Sequence, residues 1–390
     1  MRRLALSDEI LLKVDKAARY IGGEVNSVMK DKNEVDIRFA MCFPDVYEIG
    51  MSNLGMMILY NMFNQREDVW CERLFSPWPD LDKVMREKKI PLFALESQEP
   101  IRDFDFLGIT IGYEMCYTNI LQVLDLSGIP LKSADRGEDF PIVIGGGACA
   151  YNPEPLAPFF DMFYIGEGET VYDALFDAYK ANKKAGGSRR DFLLAAAKIP
   201  GIYVPSLYEV TYKEDGTIAS FAPTVDDVPE KVQKQLIIDM EKEYRAVETP
   251  VVPHIKATQD RVTLEIQRGC IRGCRFCQAG MIYRPTRERD VETLKESARI
   301  MLKNTGHEEI SLSSLSSSDY SQLKELVNFL IEEFHGKAIN ISLPSLRIDA
   351  FALDVMSKVQ DVKKNSLTFA PEAGSQRLRD VINKGLTEEV

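Results

Sequence analysis

The segment Arg268-Gly269-Cys270-Ile271-Arg272-Gly273-Cys274-Arg275-Phe276-Cys277 places three cysteines close together, with three and two residues between them. Three thiolates at this spacing can converge on one side of a loop. They leave one iron of a cubane [4Fe–4S] cluster without a protein ligand, and such an iron can bind and activate a substrate. A zinc site would need a fourth Cys or His at short spacing, and the nearest histidines, His254 and His307, lie outside such a motif. The spacing therefore favours an iron–sulfur site over zinc or over three unpaired loop cysteines.

The chain contains seven cysteines, and the other four are scattered at Cys42, Cys71, Cys116 and Cys149. An odd number of cysteines in a chain of 390 residues with no visible secretion signal argues against a disulfide framework. No apolar run approaches the roughly 20 residues that a membrane span needs. We therefore predict a cytoplasmic protein with no membrane partner.

Composition indicates a globular protein, with 45% hydrophobic and 28% charged residues. The net charge of −12 argues against a generic nucleic-acid coat protein. One local group of basic residues is compatible with an RNA substrate: Arg268, Arg272, Arg275, Arg284, Arg287 and Arg289. The simpler alternative is that these arginines balance the charge of the cluster and of its ligand, or serve an inter-domain face.

Strand-like and helix-like segments alternate on both sides of a central connector, which predicts parallel sheets covered by helices. Downstream of the connector, strands are predicted at 262–267, 309–314, 340–345 and 366–372, and helices at 291–303, 321–334, 350–359 and 376–383. Upstream, after a short N-terminal helix, strands are predicted at 34–42, 104–113, 141–147 and 161–166, and helices at 52–64, 119–126 and 170–181.

Between the two series, 185–191 is predicted to be a loop and 206–223 a β-hairpin, followed by a charged connector at 225–259. We predict three domains: 1–185 is a doubly wound Rossmann-like domain with an N-terminal helix, 186–260 is the hairpin and connector, and 261–390 is a (β/α) barrel. Only four βα units are visible in the barrel.

The spacing C-x3-C-x2-C directly after a first barrel strand resembles the signature of the radical S-adenosylmethionine (SAM) superfamily, and the resemblance extends from Arg261 to Asn383. It implies that Cys270, Cys274 and Cys277 bind three irons of the cluster, and that the fourth iron binds the amino and carboxylate groups of SAM. The reduced cluster would then cleave SAM to methionine and a 5′-deoxyadenosyl radical. A reductant such as flavodoxin or ferredoxin is the expected partner.

The same resemblance implies SAM-binding residues at the carboxyl ends of the barrel strands, where ligands of such folds sit. The candidates are Phe276, expected to pack against adenine, together with Ser313, Ser345, Arg347, Glu372, Gly374 and Ser375. The alternatives are that Arg347 is a solvated loop charge and that Glu372 is an acid capping the following helix.

The N-terminal domain resembles the cobalamin-binding domain that precedes many radical SAM barrels. The candidate cobalamin residues follow three strands: Asp45, Tyr47, Gly50, Gly145, Gly146 and Gly166. Tyr47 occupies the position where the family pattern D-x-H-x-x-G has a cobalt-ligating histidine. The domain therefore either binds cobalamin without a cobalt ligand from this position or keeps only the fold.

Cys42, Cys116 and Cys149 each lie at or just beyond the end of a predicted strand, so a second iron–sulfur cluster, as in the methylthiotransferase branch of the superfamily, is an alternative. Plain core cysteines are the simpler account.

We therefore expect a radical SAM enzyme, acting on RNA or on a small molecule by methylation or sulfur insertion. A non-catalytic iron–sulfur scaffold is the rival function. Family barrels usually have six units, so this barrel looks truncated. We expect it to keep its cluster loop, to bind SAM weakly and to self-associate through the edge of its fourth strand.

Overall fold

The computed structural model describes residues 4–344 and 370–388. The chain divides into two compact units. The first unit comprises Met1–Ile237 and Val251–Thr258, and the second comprises Ile238–Pro250 and Gln259–Val390. Within the described ranges, no helix is both long and apolar enough to cross a membrane.

The first unit is built around a six-stranded sheet with the order β2-β1-β3-β4-β5-β6, in which β1 to β5 are parallel and β6 is antiparallel to β5. Its strands are β1 (Ile37–Phe43), β2 (Val69–Phe75), β3 (Phe106–Thr110), β4 (Ile142–Gly146), β5 (Met162–Tyr164) and β6 (Ile202–Tyr203). Its helices are α1 (Asp8–Leu11), α2 (Tyr47–Gly50), α3 (Leu54–Gln65), α4 (Pro79–Lys88), α5 (Tyr117–Leu126), α6 (Tyr172–Lys184) and α7 (Arg189–Ala196).

Both faces of this sheet are covered, as the alternation in sequence predicts. On one face, Phe39 of β1 meets Phe63 of α3 and Phe176 of α6 at ring-centroid distances of 4.9 and 5.9 Å. On the other face, Ala40 and Cys42 belong to the core that α4 and α5 complete. Successive residues of a strand point to opposite faces, so one strand supplies both cores. The doubly wound prediction is confirmed.

Strand β2 was not predicted, because two charged residues interrupt its apolar pattern. Glu72 and Arg73 are both fully buried. Glu72 is paired with Arg38 at 2.6 Å, and Arg73 is paired with Glu24 at 2.7 Å and with Glu96 at 2.6 Å. Buried charges are tolerated when they are paired and hydrogen-bonded. The mostly charged α4 and the two-residue β6 were also not predicted.

The segment 185–191 is only partly a loop, because α7 begins inside it at Arg189. The side chain of Ser188 accepts a hydrogen bond from the backbone N–H of Asp191, and the Asp191 carboxylate accepts one from the N–H of Ser188. This reciprocal capping starts the helix within a stretch rich in glycine and arginine. The predicted hairpin forms as β7 (Tyr208–Tyr212) and β8 (Ile218–Pro223).

The second unit contains a parallel sheet with the order β13-β12-β9. Its elements are β9 (Val262–Glu265), β10 (Gln267–Arg268), α8 (Gln278–Ile282), β11 (Arg287–Glu288), α9 (Val291–Thr305), β12 (Glu309–Ser313), α10 (Leu323–Glu333), β13 (Asn340–Ser342) and α11 (Gln376–Val381). Residues of α9 and α10 pack on one face of this sheet in a separate hydrophobic core. Three of the four predicted strands are thus found in the predicted order. The predicted helix at 350–359 and most of the strand predicted at 366–372 lie outside the described residues.

Candidate iron–sulfur centre and cofactor crevice

The three clustered cysteines lie on a loop that leaves the carboxyl end of β9. Strands β10 and β11 pair antiparallel at the base of this loop, with Gln267 opposite Glu288 and Arg268 opposite Arg287. Gly269 begins the loop with a φ of +82°, and a Cβ at this position would lie 2.4 Å from the carbonyl oxygen of Pro285. Only glycine permits both this conformation and this close approach.

The sulfur atoms of the loop are accessible and receive backbone hydrogen bonds. Cys270, Cys274 and Cys277 are partly exposed, whereas the other four cysteines are buried. The N–H of Arg272 donates to Cys270 Sγ at 3.4 Å, and the N–H of Gly280 donates to Cys277 Sγ at 3.3 Å. Hydrogen bonds of this kind orient the side chains that bind a metal centre.

The donor set fits a cluster better than a single ion. Among the described residues, no three His, Cys, Asp or Glu side chains are placed to hold one metal ion. A mononuclear zinc site therefore has no ligand set there. In a cubane cluster each thiolate binds a different iron, so the three sulfurs need not converge on one point.

Contacts from α11 and from the segment after β12 hold the outside of the cluster loop. Asn383 Nδ2 donates to the Gly273 carbonyl at 2.8 Å. The backbone N–H of Arg275 donates to the Ile382 carbonyl at 3.0 Å. Arg272 is paired with Asp319 through two hydrogen bonds, of 3.1 and 2.5 Å. The loop is thus fixed by side chains distant in sequence.

Of the six arginines near the cluster loop only Arg275 is exposed, so they do not form the solvent-facing basic patch that the sequence suggests. Arg287 and Arg289 are 7% and 3% exposed. Arg268 binds Glu265 through two hydrogen bonds, of 2.9 and 3.0 Å. Arg284 donates to the Arg272 carbonyl at 2.7 Å, and Arg275 donates to the Val381 carbonyl at 2.6 Å. With Arg272 on Asp319, these guanidinium groups are engaged within the chain.

Lys384 brings two of the SAM candidates together. Its ammonium nitrogen lies 3.1 Å from Glu372 Oε1 and 6.0 Å from the centre of the Phe276 ring, which is 53% exposed. Sequence reasoning missed Lys384, which follows α11. Gly374 has open space where a Cβ would lie. The cap of α11 is Ser375, whose hydroxyl accepts from the Leu378 N–H at 3.4 Å, so Glu372 is not the capping residue.

Ser313 ends β12 and belongs to a polar face that sequence reasoning missed. Thr263, Ser311 and Ser342 are in register across the three strands, and Ser313 is opposite Glu265. The residues that alternate with them pack in the core with α9 and α10. The polar residues therefore share the opposite face. The alternation in Val262-Thr263-Leu264-Glu265 signals this face. Ser345 and Arg347 lie outside the described residues.

In the first unit, the sheet order reverses between β1 and β3, which is where doubly wound sheets open a ligand crevice. Asp45 follows β1 and accepts a hydrogen bond from the hydroxyl of Tyr113, which follows β3. This bond, aided by partial burial, raises the pKa of Tyr113 to about 12. Ile49 and Met115, on the same two segments, are 40% and 86% exposed.

The side chain of Tyr47 is buried and hydrogen-bonded within the first unit. Its side chain is 1% exposed, its hydroxyl donates to Glu24 Oε1 at 3.0 Å and accepts from the His254 N–H at 3.2 Å. Burial, and then the nearby Glu24 charge, raise the pKa of Tyr47 well above its ordinary value. A neutral, hydrogen-bonded phenol is not available as a metal ligand.

Three of the four glycines predicted to face cobalamin instead allow the chain to pack on itself. A Cβ on Gly50 would lie 2.2 Å from the Phe75 ring, and one on Gly145 would lie 2.8 Å from the Phe163 ring. A Cβ on Gly166 would lie 2.4 Å from the carbonyl oxygen of Gln235. Gly146 alone has no heavy atom nearer than 4.0 Å to its Cβ position. Direct cobalamin contact by these glycines stays a prediction.

The three cysteines suggested for a second cluster are all buried. Cys116 lies near enough to Cys42 to raise its pKa, and Cys149 lies near enough to Cys116 to do the same. Burial, and then the neighbouring Cys116, raise the pKa of Cys42. Burial likewise raises the pKa values of Cys116 and Cys149. Neutral buried thiols are poor metal ligands. The three cysteines of the 270–277 loop, by contrast, are partly exposed.

Comparison with known proteins agrees with this geometry. Residues 55–205 match the family model described as radical SAM proteins, N-terminal, and residues 264–390 match that of the radical SAM superfamily. The chain belongs to the radical SAM superfamily. The second match begins within β9 and contains the whole cysteine loop, so this superfamily segment coincides with the candidate iron–sulfur centre.

Two relatives come from Methanocaldococcus jannaschii. An uncharacterized protein is 29% identical over 350 residues, which are 90% of this chain and 63% of that protein. The chain thus spans less than two thirds of that relative. A protein named "Putative methylthiotransferase" is 28% identical over 137 residues, which are 33% of this chain and 30% of that protein.

Two solved structures share the fold of this radical SAM chain. One is the cobalamin-dependent SAM radical enzyme OxsB with aqua-cobalamin and SAM bound, with a TM-score of 0.57, 16% identity, and coverage of 90% of this chain and 46% of OxsB. The other is the radical SAM methyltransferase TsrM from Kitasatospora setae with cobalamin and a [4Fe–4S] cluster bound, with a TM-score of 0.50, 12% identity, and coverage of 84% and 58%.

Proposed function

We propose that this chain is the cofactor-binding part of a radical SAM enzyme in which Cys270, Cys274 and Cys277 hold a [4Fe–4S] cluster. The observation that carries the proposal is the loop with three partly exposed cysteines, two of whose sulfurs accept hydrogen bonds from backbone N–H groups. When bound, the reduced cluster supplies the electron that breaks the sulfonium of SAM into methionine and a 5′-deoxyadenosyl radical. Flavodoxin or ferredoxin is the proposed electron donor, and the reducing cytoplasm the proposed compartment.

The residues of the chain have distinct tasks in this proposal. The N–H groups of Arg272 and Gly280 donate to the sulfurs of Cys270 and Cys277 and so orient two of the proposed cluster ligands. Phe276 offers an exposed aromatic face for adenine, beside Lys384. Ser313, Glu372, Gly374 and Ser375 remain the proposed SAM contacts among the described residues, and Ser345 and Arg347 complete that proposed set.

Anaerobic reconstitution with iron and sulfide tests the proposal. We expect about four irons per chain and formation of 5′-deoxyadenosine from SAM after reduction. A variant with Cys270, Cys274 and Cys277 all changed to Ala should lose iron and activity, whereas Cys71→Ala should keep both. Iron retained by the triple variant would show that the ligands are wrong. Iron binding without SAM cleavage would favour the non-catalytic scaffold.

The first unit is the proposed cobalamin domain, because its strand order opens a crevice between β1 and β3 and its fold is shared with OxsB. The residues present fit a cobalamin whose cobalt takes no ligand from position 47, since the Tyr47 hydroxyl is buried and bonded. Asp45 and Tyr113 follow β1 and β3, the two strands that border the crevice, and Gly146 ends β4, the strand next to β3.

Electron paramagnetic resonance of bound cob(II)alamin tests this part. We expect no nitrogen hyperfine splitting from a protein imidazole, because the loop after β1 has no histidine and the ring of His254 in the first unit lies with its Nε2 3.2 Å from the Gly22 carbonyl oxygen. A spectrum with such splitting would refute the assignment. Failure of aqua-cobalamin to bind would leave the domain with the fold alone.

Methylation and sulfur insertion differ in their need for a second cluster. Sulfur insertion of the methylthiotransferase type would require iron on Cys42, Cys116 and Cys149, whose buried thiols are disfavoured as ligands. Methylation on a cobalamin-bearing domain needs no such cluster, so it is the outcome we propose. A reconstituted chain holding about eight irons would reverse this choice.

A further inference from the structure

The segment Ile238–Pro250, here called the strap, belongs to the second unit although it precedes β9 by more than ten residues. It falls within the 186–260 stretch predicted as hairpin and connector, and neither family match includes it. Its position therefore needs a separate explanation.

Both ends of α9 hold the strap. The Glu241 carboxylate accepts hydrogen bonds from the Asp290 N–H and from the Thr293 hydroxyl, both at 2.7 Å, at the start of the helix. Near the end of the helix, Asn304 Nδ2 donates to the Glu248 carbonyl at 3.0 Å. The strap is thus fixed to the element that follows the cluster loop.

Between these two anchors, the ring of Tyr244 lies against two guanidinium groups. The guanidinium carbon of Arg289 is 4.4 Å from the ring centre, and that of Arg268 is 5.2 Å from it. Arg289 is 3% exposed, and its Nε has no hydrogen-bond partner among the described residues. An aromatic face attracts a desolvated cation through its quadrupole, so Tyr244 compensates this buried charge.

The two arginines stand at the two ends of the cluster loop. Arg268 lies directly before Gly269 and Cys270, and its guanidinium binds Glu265 of β9 through two hydrogen bonds. Arg289 follows β11, and its backbone N–H donates to the Ile266 carbonyl at 2.9 Å. One ring therefore contacts the chain where it enters the loop and where it leaves it.

We propose that Tyr244 is a positioning residue, which orients the cluster loop by holding Arg268 and Arg289 on the face of its ring. The proposal rests on the proposed function, because the loop has a task to perform only if it carries the cluster. Tyr244 acts through the two arginines. The proposed role belongs to the face of the ring, which a phenylalanine also provides.

Three variants of the reconstituted full chain test the proposal: Tyr244→Phe, Tyr244→Leu and, as a surface control, Tyr212→Ala on the hairpin. Leucine keeps an apolar side chain but has no aromatic face. We expect the Phe and Tyr212 variants to match the wild type. We expect the Leu variant to bind iron but to show altered g-values of the reduced cluster with SAM, and roughly tenfold slower SAM cleavage.

The outcomes are distinguishable. If the wild type itself binds no iron, the proposed function fails. If the wild type is active and the Leu variant matches it in spectrum and rate, Tyr244 does not position the loop. A Phe variant as impaired as the Leu variant would also overturn the proposal, because the aromatic face is then not what matters.

A measurement on the wild type covers the case in which the Leu variant does not fold. Hydrogen exchange of the strap amides, 240–246, should slow on loading the cluster, together with that of 268–289. Strap exchange that is the same with and without the cluster would overturn the proposal.

Discussion

At the scale of single residues, position 269 requires glycine for two separate reasons: its φ is positive, and there is no space for a Cβ. Gly306, at the end of α9 in the same unit, shares a positive φ of 71° but has open space at its Cβ position. Comparing alanine at the two positions therefore separates conformational strain from steric conflict.

We predict that Gly269→Ala abolishes most iron binding, because the new Cβ would displace the Pro285 backbone and distort the loop before Cys270. Gly306→Ala should keep its iron and lose only about 1–2 kcal/mol of stability, the cost of the left-handed conformation. Iron content and urea denaturation measure the two effects. Equal iron content in the two variants would contradict the assignment.

Glu48 gives a residue-scale prediction about pH. Its carboxylate binds Lys16 Nζ at 2.9 Å and Arg19 Nη2 at 2.8 Å. Burial alone would raise its pKa, but the hydrogen bonds and charges of Arg19 and Lys16 outweigh burial and lower the pKa from 4.5 to about 2. A lowered folded-state pKa contributes stability above the unfolded pKa, and that stability is lost as pH falls from about 4.5 to about 2.

We therefore expect Glu48→Gln to destabilise the first unit at pH 7 by roughly 3 kcal/mol, and the deficit to shrink as pH falls through this window. Chemical denaturation at pH 7, 5, 4 and 3 measures it. Glu9→Gln is the control, because Glu9 pairs with Lys13 on the exposed surface. A deficit that is constant across these pH values would rule out the carboxylate charge as its cause.

At the scale of elements, helix α11 and the residues after it support the cluster loop from a distance of about a hundred residues in sequence. We predict that Asn383→Ala speeds iron loss to a chelator several-fold, because the Gly273 carbonyl loses its 2.8 Å donor. Asn33→Ala, which removes only an exposed local contact with Asp31, should have no effect. An unchanged rate in the Asn383 variant would mean that this contact does not hold the loop.

The sequence could predict elements whose pattern is local. The cysteine spacing and the alternation of β9, β12 and β13 are visible in a few neighbouring residues. Strand β2 could not be predicted, because Glu72 and Arg73 are neutralised by partners distant in sequence. The packing of Gly50 could not be predicted for the same reason, since the Phe75 ring, which leaves no space for a Cβ at position 50, belongs to β2.

At the scale of the whole molecule, each unit has its own hydrophobic core. We predict two transitions in calorimetry of the chain, because two separate cores favour two cooperative units. Removing the cluster with a chelator should lower the midpoint of one transition only, since a ligand stabilises the unit that binds it. A single transition, with one midpoint that shifts when the cluster is removed, would contradict the division into two cooperative units.

The path of the chain between the units has a consequence for how such proteins can be recombined. The chain passes from the first unit to the second after Ile237, returns after Pro250, and passes over again after Thr258. A gene exchange with one breakpoint at residue 259 would therefore deliver a barrel without the segment that carries Tyr244. Swapped halves from two homologues should work together only if 238–250 comes from the same parent as the barrel.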